Sequence, residues 1–321
     1  MPQGSVHISQ ALTDTSIRYR NGLFVAEKVY PLKDVDKKSD KYYVYGKENF
    51  DVADDRRSPG AEARKVDWSL SSDNYFCEGH ALKDSVPRES EADADPALDL
   101  MIDTTEMLSE RLMLNREADL VAQLDADLTG TSLDDCNAKK FSDDTKDPIK
   151  EIKTQGIAIA KRTGRGPNRM VFSASSWNGF VQNAFVLNRI SGAQNITASM
   201  VKPQEIAQIL ELDEVIIAKA VKNTAKKGQA GSNDWVWGAR ALLYFSPPSI
   251  GLRSLALGAT FRWRKALAAI AGQVPAGMQD TGLFVKTYYW EPTSSDVVEV
   301  HEYRDQKTIA AGAGCLFTNT V

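Results

Sequence analysis

The sequence predicts an α+β protein whose extended, tyrosine-rich hairpin packs against other copies of the same chain. Two observations lead there. Near the N-terminus three unlike blocks follow one another: a polar lead from Met1 to Asn21, a strand-rich block from about Val29 to Leu82, and a long acidic helix beginning at Pro96. Beyond residue 147 the pattern turns to alternating helical and strand segments. The strand-rich block carries little apolar core of its own, and a lone two-stranded ribbon is marginal in water. In a soluble protein its expected support is another copy of the chain, which points to an assembly protein and away from a self-contained enzyme.

The elements follow in order. Residues 1–28 hold one apolar run, Leu23-Phe24-Val25-Ala26, and read as an extended arm that docks on other surfaces. From Lys41, KYYVYGKENF is rich in β-formers, and VDWSLSSDNYFCEGHAL answers it from Val66. Val66, Trp68 and Leu70 alternate with Asp67 and Ser69, the period of a half-buried strand. Two strands of about 10–12 residues would reach roughly 35–40 Å. Pro59 and Gly60 punctuate the polar stretch between them, which reads as a turn or tip. Asp95-Pro96 is a helix start, with an N-cap carboxylate followed by a proline where no N–H bond is lost. Its stripe runs Leu98, Met101, Ile102, Leu108, Leu112, then Ala118, Val121 and Leu124, and the helix ends near Asp127. Leu133 to Asp147 reads as an acidic loop.

Helices are then expected at Pro148–Thr163, stopped by Gly164, at Ala174–Gln182 and at Pro203–Leu212. Strands are expected at Arg169–Phe172, Glu214–Val221, Trp235–Phe245, Gly258–Arg264, Leu283–Trp290 and Asp296–Tyr303, before an apolar end at Ala310–Phe317. Asn223 to Asn233 is a Lys- and Gly-rich loop, and there is no internal repeat.

Length and composition admit one to three domains with a sizeable core. The net charge of −4 over 321 residues does not suggest a dedicated nucleic-acid binder, for which a strongly basic domain would be expected. No apolar run reaches the roughly 20 residues that span a bilayer, and the N-terminus lacks a signal-peptide pattern. Three widely spaced cysteines argue against a disulfide framework. The net charge hides a swing: Asp84 to Asp147 holds 18 acidic and 6 basic residues, Lys150 to Lys265 holds 17 basic and 6 acidic. The swing marks a domain boundary near 147–150. It reads either as two solvated surfaces or as acidic and basic faces that meet between subunits, where complementarity guides register.

The catalytic inventory is thin. His7, His80 and His301 lie far apart. Cys77-Glu-Gly-His80 has ligand-like spacing, but no second pair completes a tetrahedral site, so it reads as structural. Gly164-Arg-Gly-Pro-Asn lacks the spacing and closing Lys-Ser/Thr of a phosphate loop, and reads as a helix cap and turn. Gly312-Ala-Gly-Cys315 reads as tight packing. Asp125, Asp127, Asp134, Asp135, Asp143 and Asp144 fit no defined calcium loop and read as solvated. Tyr42, Tyr43, Tyr45, Trp68, Tyr75 and Phe76 could stack on bases, but the second strand has little basic interleaving. A protein interface rich in Tyr and Trp fits them better. No cofactor or metal site is expected.

The ordered set of segments resembles the major capsid proteins of tailed bacteriophages, which share the Hong Kong 97-type fold. DTSIRYRNGLFVAEKVYPLKDVDKKSDKYYVYGKENF looks like the family's arm and outgoing extended loop, and SPGAEARKVDWSLSSDNYFCEGHALKDSVP like the loop's return. DPALDLMIDTTEMLSERLMLNREADL looks like its spine helix, and GPNRMVFSASSWNGF, DEVIIAKAVKNTA, VWGARALLYFSPP and SSDVVEVHEYRDQKTIAAGAGCLFTNTV like its axial and closing peripheral segments. The resemblance implies an N-terminal arm at 1–28, an extended β-loop at 29–82, a peripheral domain with the spine helix at 83–147, an axial domain at 148–265 and a return to the peripheral domain at 266–321. It implies no enzyme, but a subunit that self-assembles in the host cytoplasm as pentamers and hexamers into an icosahedral virion shell. That shell would enclose double-stranded DNA and mature from a precursor with a portal, a separate scaffolding protein and, in some cases, decoration proteins. Tyr42, Tyr43, Tyr45, Arg56, Arg57, Trp68 and Tyr75 are the expected inter-subunit contacts. Some relatives crosslink a loop lysine; Lys47 and Lys65 sit in the right block, but no acceptor can be assigned. An encapsulin-type nanocompartment shell is the alternative within the fold, and a cytosolic hydrolase with an unrecognised site a remote one.

Overall fold

The computed structural model describes residues 24–46, 48–52, 54–60, 62, 63, 65–67, 69–93, 99–191, 201–226, 228, 229, 231–249, 251, 254–265 and 282–321. The lead before Phe24, the helix start at Asp95-Pro96 and Trp68 lie outside them. Two five-stranded sheets, joined by one long helix, organise the chain.

The first sheet is built on β13 (Ser295–Thr308). Along one edge it pairs with β12 (Phe284–Trp290) and then β11 (Gly258–Trp263), and β11 is flanked by β1 (Leu32–Val35). Along its other edge runs β4 (Glu78–Pro87), from Ser295↔Pro87 to Arg304↔Glu78. The alternation ending at Tyr303 predicts a shorter strand, because Arg304-Asp305-Gln306-Lys307 looks solvated. The structure carries it to Thr308 because Glu302, Arg304 and Gln306 point inward and are buried.

The second sheet has the order β5 (Leu133–Asp135), β14 (Gly314–Thr318), β10 (Ala241–Tyr244), β6 (Arg169–Ser173), β7 (Glu214–Ala218). Against one face pack Ile149, Ile152 and Ile159 of the Pro148–Thr163 helix, Phe180 of the Ala174–Gln182 helix, Val186 of the Ala184–Ser191 helix and Ile206 of the Pro203–Leu210 helix. The first of these helices is capped by Asp147, begins with Pro148 and ends where Gly164 takes φ +72°, as its sequence predicts.

Sheet membership cuts across sequence order. β11 belongs to the first sheet, and β5 and β14 to the second. Strand β4 runs straight through residue 82. Part of the expected acidic loop is strand β5, and Asp134 within it is buried. The expected strand Trp235–Phe245 is two: β9 (Asn233–Trp235), paired with β8 (Val221–Asn223), and β10, separated by a turn with Gly238 at φ +54°.

The long helix, Leu100–Asp127, starts on the Asp99 carboxylate, which accepts from the N–H groups of Met101 and Ile102 at 3.1 and 3.0 Å. Its 28 residues make a rod of about 42 Å. Leu108, Leu112 and Met113 pack with Leu283 and with Val285, Val298 and Val300 of the first sheet. Leu120, Val121 and Leu124 pack with Val171, Leu242 and Leu316 of the second. One helix thus belongs to both cores.

The Tyr-rich block forms the expected antiparallel ribbon, β2 (Ser39–Tyr45) with β3 (Leu70–Phe76), in register from Ser39↔Phe76 to Tyr45↔Leu70. It is shorter than expected, seven residues a side or about 23 Å. Val66 lies outside the strand and is 66% exposed. Its alternation with Leu70 has no buried face to serve.

Candidate assembly surface and its anchorage

The ribbon leaves the first sheet through a well-built base. Tyr75 is 6% exposed and stacks on Phe261 with ring centroids 4.7 Å apart; Tyr42 tilts against the same ring at 5.5 Å. The Cys77 N–H donates to Lys38 O at 2.9 Å, and the Phe76 N–H to Asp305 Oδ2 at 2.8 Å. Burial raises the Asp305 carboxyl, against that hydrogen bond. Tyr42 donates to Asp73 Oδ2 at 2.8 Å, which holds the Asp73 carboxyl low.

This separates the expected contact residues. Tyr43 is 62% exposed, and Arg56 and Arg57 are exposed beyond the ribbon. Tyr75 faces inward and Tyr42 is half-buried, because alternate residues of a strand face opposite sides and one side here meets Phe261. The side chain of Tyr45, like Trp68, lies outside the described residues. Val52 and Phe50 are exposed apolar side chains of the distal segment that sequence reading passed over.

At the other end of the block, the residues expected to close the arm and lead into the ribbon are core. Phe24 to Tyr30 includes one helical turn (Ala26–Val29), and Val25, Ala26, Val29 and Tyr30 are buried. The N–H groups of Val25 and Ala26 donate to Glu117 Oε2 at 2.9 and 2.7 Å, while Trp237 Nε1–H donates to Glu117 Oε1 at 2.5 Å. Burial pushes the Glu117 carboxyl upward, and these three donors act against it. Beside it, Arg116 donates to Glu27 Oε1 at 2.6 Å and to Glu302. Arg304 continues the chain to Glu302 at 3.1 Å and to Asp119 at 2.6 Å. The long helix, the N-terminal segment and β13 are therefore joined by an ionic network whose centre, Arg116, Glu302 and Arg304, is buried.

Part of the charge swing along the sequence is also satisfied within the chain. Arg240 grips Asp125 through two bonds of 2.9 and 2.8 Å, and Lys139 bridges Asp134 and Glu151 at 3.1 and 2.7 Å. Both contacts span the region where the balance of charge reverses.

Cys77, Cys136 and Cys315 are buried and unpaired, and burial pushes each thiol up to about 12. A thiol that stays protonated is a poor nucleophile or metal ligand. Among the described residues no group of three or more His, Cys, Asp or Glu could hold a metal ion, and no helix is long and apolar enough to cross a membrane. A polar cleft of about 340 Å³ lies beside the ribbon base, lined by His80, Asp119, Arg304, Asp305, Gln306 and Lys307. Arg304 is committed there to Glu302 and Asp119.

No family model matches the sequence. The major capsid protein of Burkholderia phage BcepMu is 24% identical over 246 residues, 75% of this chain and 76% of that protein. The major capsid protein of Pseudomonas phage JBD67 is 24% identical over 261 residues, 80% of this chain and 83% of that one. The chain resembles the major capsid proteins of tailed phages. Solved structures agree on the fold. A phage-related protein from Bordetella bronchiseptica matches over 98% of both chains with a TM-score of 0.73 and 19% identity. A chain of the mature capsid of bacteriophage PhiM1 matches over 99% of this chain and 90% of its own length, with a TM-score of 0.58 and 10% identity. The encapsulin complex from Synechococcus elongatus matches over 99% and 92%, with a TM-score of 0.52 and 12% identity. The architecture is an α+β capsid fold.

His80 and His301 face each other's strands across the β4–β13 pair, one residue out of register. Burial lowers both below the usual imidazole value; for His80 the Arg304 charge adds to this, and for His301 Lys286 does so against a 3.2 Å contact with Glu299. The fold then binds fewer protons than the unfolded chain as pH falls through about 6.5. Stability should be full above that value and decline below it, toward the depressed folded pKa. Denaturant titrations from pH 7.5 to 5.5 should show this slope, and His80→Gln with His301→Gln should flatten it.

Proposed function

We propose that this chain is a structural subunit of a phage head, of the Hong Kong 97 type, that assembles as pentamers and hexamers into an icosahedral shell around double-stranded DNA. The observation that carries the reading is the distal part of the ribbon. Asp51 to Asp67 is exposed wherever it is described and contributes nothing to the four buried clusters. An exposed segment at the end of an anchored ribbon, in a chain whose relatives are major capsid proteins, is suited to a neighbouring subunit. Arg56 and Arg57 on this segment and Tyr43 on the ribbon itself are the contacts proposed. Tyr42 and Tyr75 instead orient the ribbon.

In this reading the first sheet and long helix form the peripheral domain and the second sheet the axial domain. Many modest contacts per subunit add through multivalency. Lysines and arginines on an inner surface suffice to sit beside DNA without reading bases. A separate scaffolding protein, a portal and assembly in the host cytoplasm complete the proposal. The proposed role is structural rather than enzymatic, as the naming of the relatives as major capsid proteins suggests.

Deleting Asp51–Lys65 tests it. The variant should keep the wild-type circular dichroism and unfolding midpoint but fail to close shells in electron micrographs. Normal particles from the deletion would overturn the role given to the tip. The encapsulin likeness supports a protein nanocompartment as the second reading. DNA inside purified shells selects the phage head, and a protein cargo without DNA selects the compartment.

A further inference from the structure

The Gly164-Arg-Gly-Pro-Asn turn has a feature that capping alone does not require. Gly164 closes the Pro148–Thr163 helix in the left-handed region, and a methyl group built on it would lie 2.9 and 3.1 Å from Cε1 and Cζ of Phe50. The Phe50 ring therefore rests edge-on over the bare backbone of this cap. Phe50 ends the short Glu48–Phe50 turn at the far end of the ribbon, where the Gly46 N–H donates to Ser69 O at 3.1 Å. The contact reaches from the ribbon's distal end to a helix packed on the second sheet. Phe50 is still 55% exposed, so this is a light contact and not part of the core.

We propose that the Gly164 cap is an intramolecular seat for Phe50, an autoinhibitory contact that holds the ribbon's end against its own subunit until assembly draws it away. The proposal rests on the reading that the ribbon tip engages a neighbour. The positive φ of the cap favours glycine, and the absence of a side chain there lets the ring approach the backbone. The ring's exposure keeps the contact weak enough to exchange for one of larger area.

The test uses Phe50→Ala and Phe50→Leu in the full-length chain, since an exposed ring can be shortened without disturbing the core. Amide exchange in dilute subunits should rise several-fold at Gly46, Phe50, Arg165 and Gly166 in F50A, and less in F50L. Light scattering should show that F50A shortens the lag before shell formation. Unchanged exchange in F50A would overturn the seat. Faster exchange with a longer lag would overturn the autoinhibitory role, because the ring would then serve the shell itself. If neither wild type nor variant forms shells under any condition, the capsid reading fails and the gating role with it, while exchange still reports the seat.

Discussion

Arg116→Ala should lower the unfolding free energy of the subunit by about 3–5 kcal/mol, the cost of breaking a buried pair and stranding its partner. Arg116 and Glu302 are 2% and 1% exposed, so removal of the guanidinium leaves a carboxylate with little access to water. Arg304 reaches the other oxygen of Glu302 at 3.1 Å and softens the loss. The planar fork of Arg116 serves Glu27 and Glu302 together, so Arg116→Lys should recover only part of the stability. Urea unfolding followed by circular dichroism measures both. An R116A midpoint equal to wild type would show that the network adds nothing.

Replacing Leu108 and Leu112 together by alanine should cost roughly 2–5 kcal/mol for each side chain. Both are 2% exposed, and both lie where the long helix meets Val285, Val298 and Val300. The same helix carries Leu120 and Leu124 into the second core, so loosening its first half should weaken both. The contrast with the loop deletion is informative. The leucine pair should lose the fold, whereas Asp51–Lys65 should lose the shell and keep the fold. Urea midpoints and electron micrographs of the two variants distinguish these outcomes.

The long helix shows how far a pattern can be read and where it stops. Leu108, Leu112, Val121 and Leu124 were legible as a stripe and are buried. Arg116 and Glu117 were not, because a charged pair in mid-helix reads as solvent-facing until its partners are known. Those partners, Glu27, Glu302, Trp237 and the backbone of Val25 and Ala26, lie between 89 and 186 residues away. The same reason hid the last five residues of β13 and turned the end of the expected arm into core. Tyr75 is the counterpart on the ribbon. It reads as one more surface aromatic, but Phe261 buries it.

Elements whose signals are local were determined by the sequence itself. Asp147-Pro148 and Gly164 bound their helix, Arg169–Phe172 is strand, and the tyrosine block pairs as a ribbon. Capping, turn chemistry and side-chain period act within a few residues, so one segment contains all the information needed. Tertiary structure alone decided that β11 lies in the first sheet and β5 and β14 in the second, that half of β13's inward face is polar, and that the ribbon's end rests on Gly164. Each depends on groups far apart in sequence that satisfy one another's charge, hydrogen bonds or shape, and none of these partners announces itself in the local pattern.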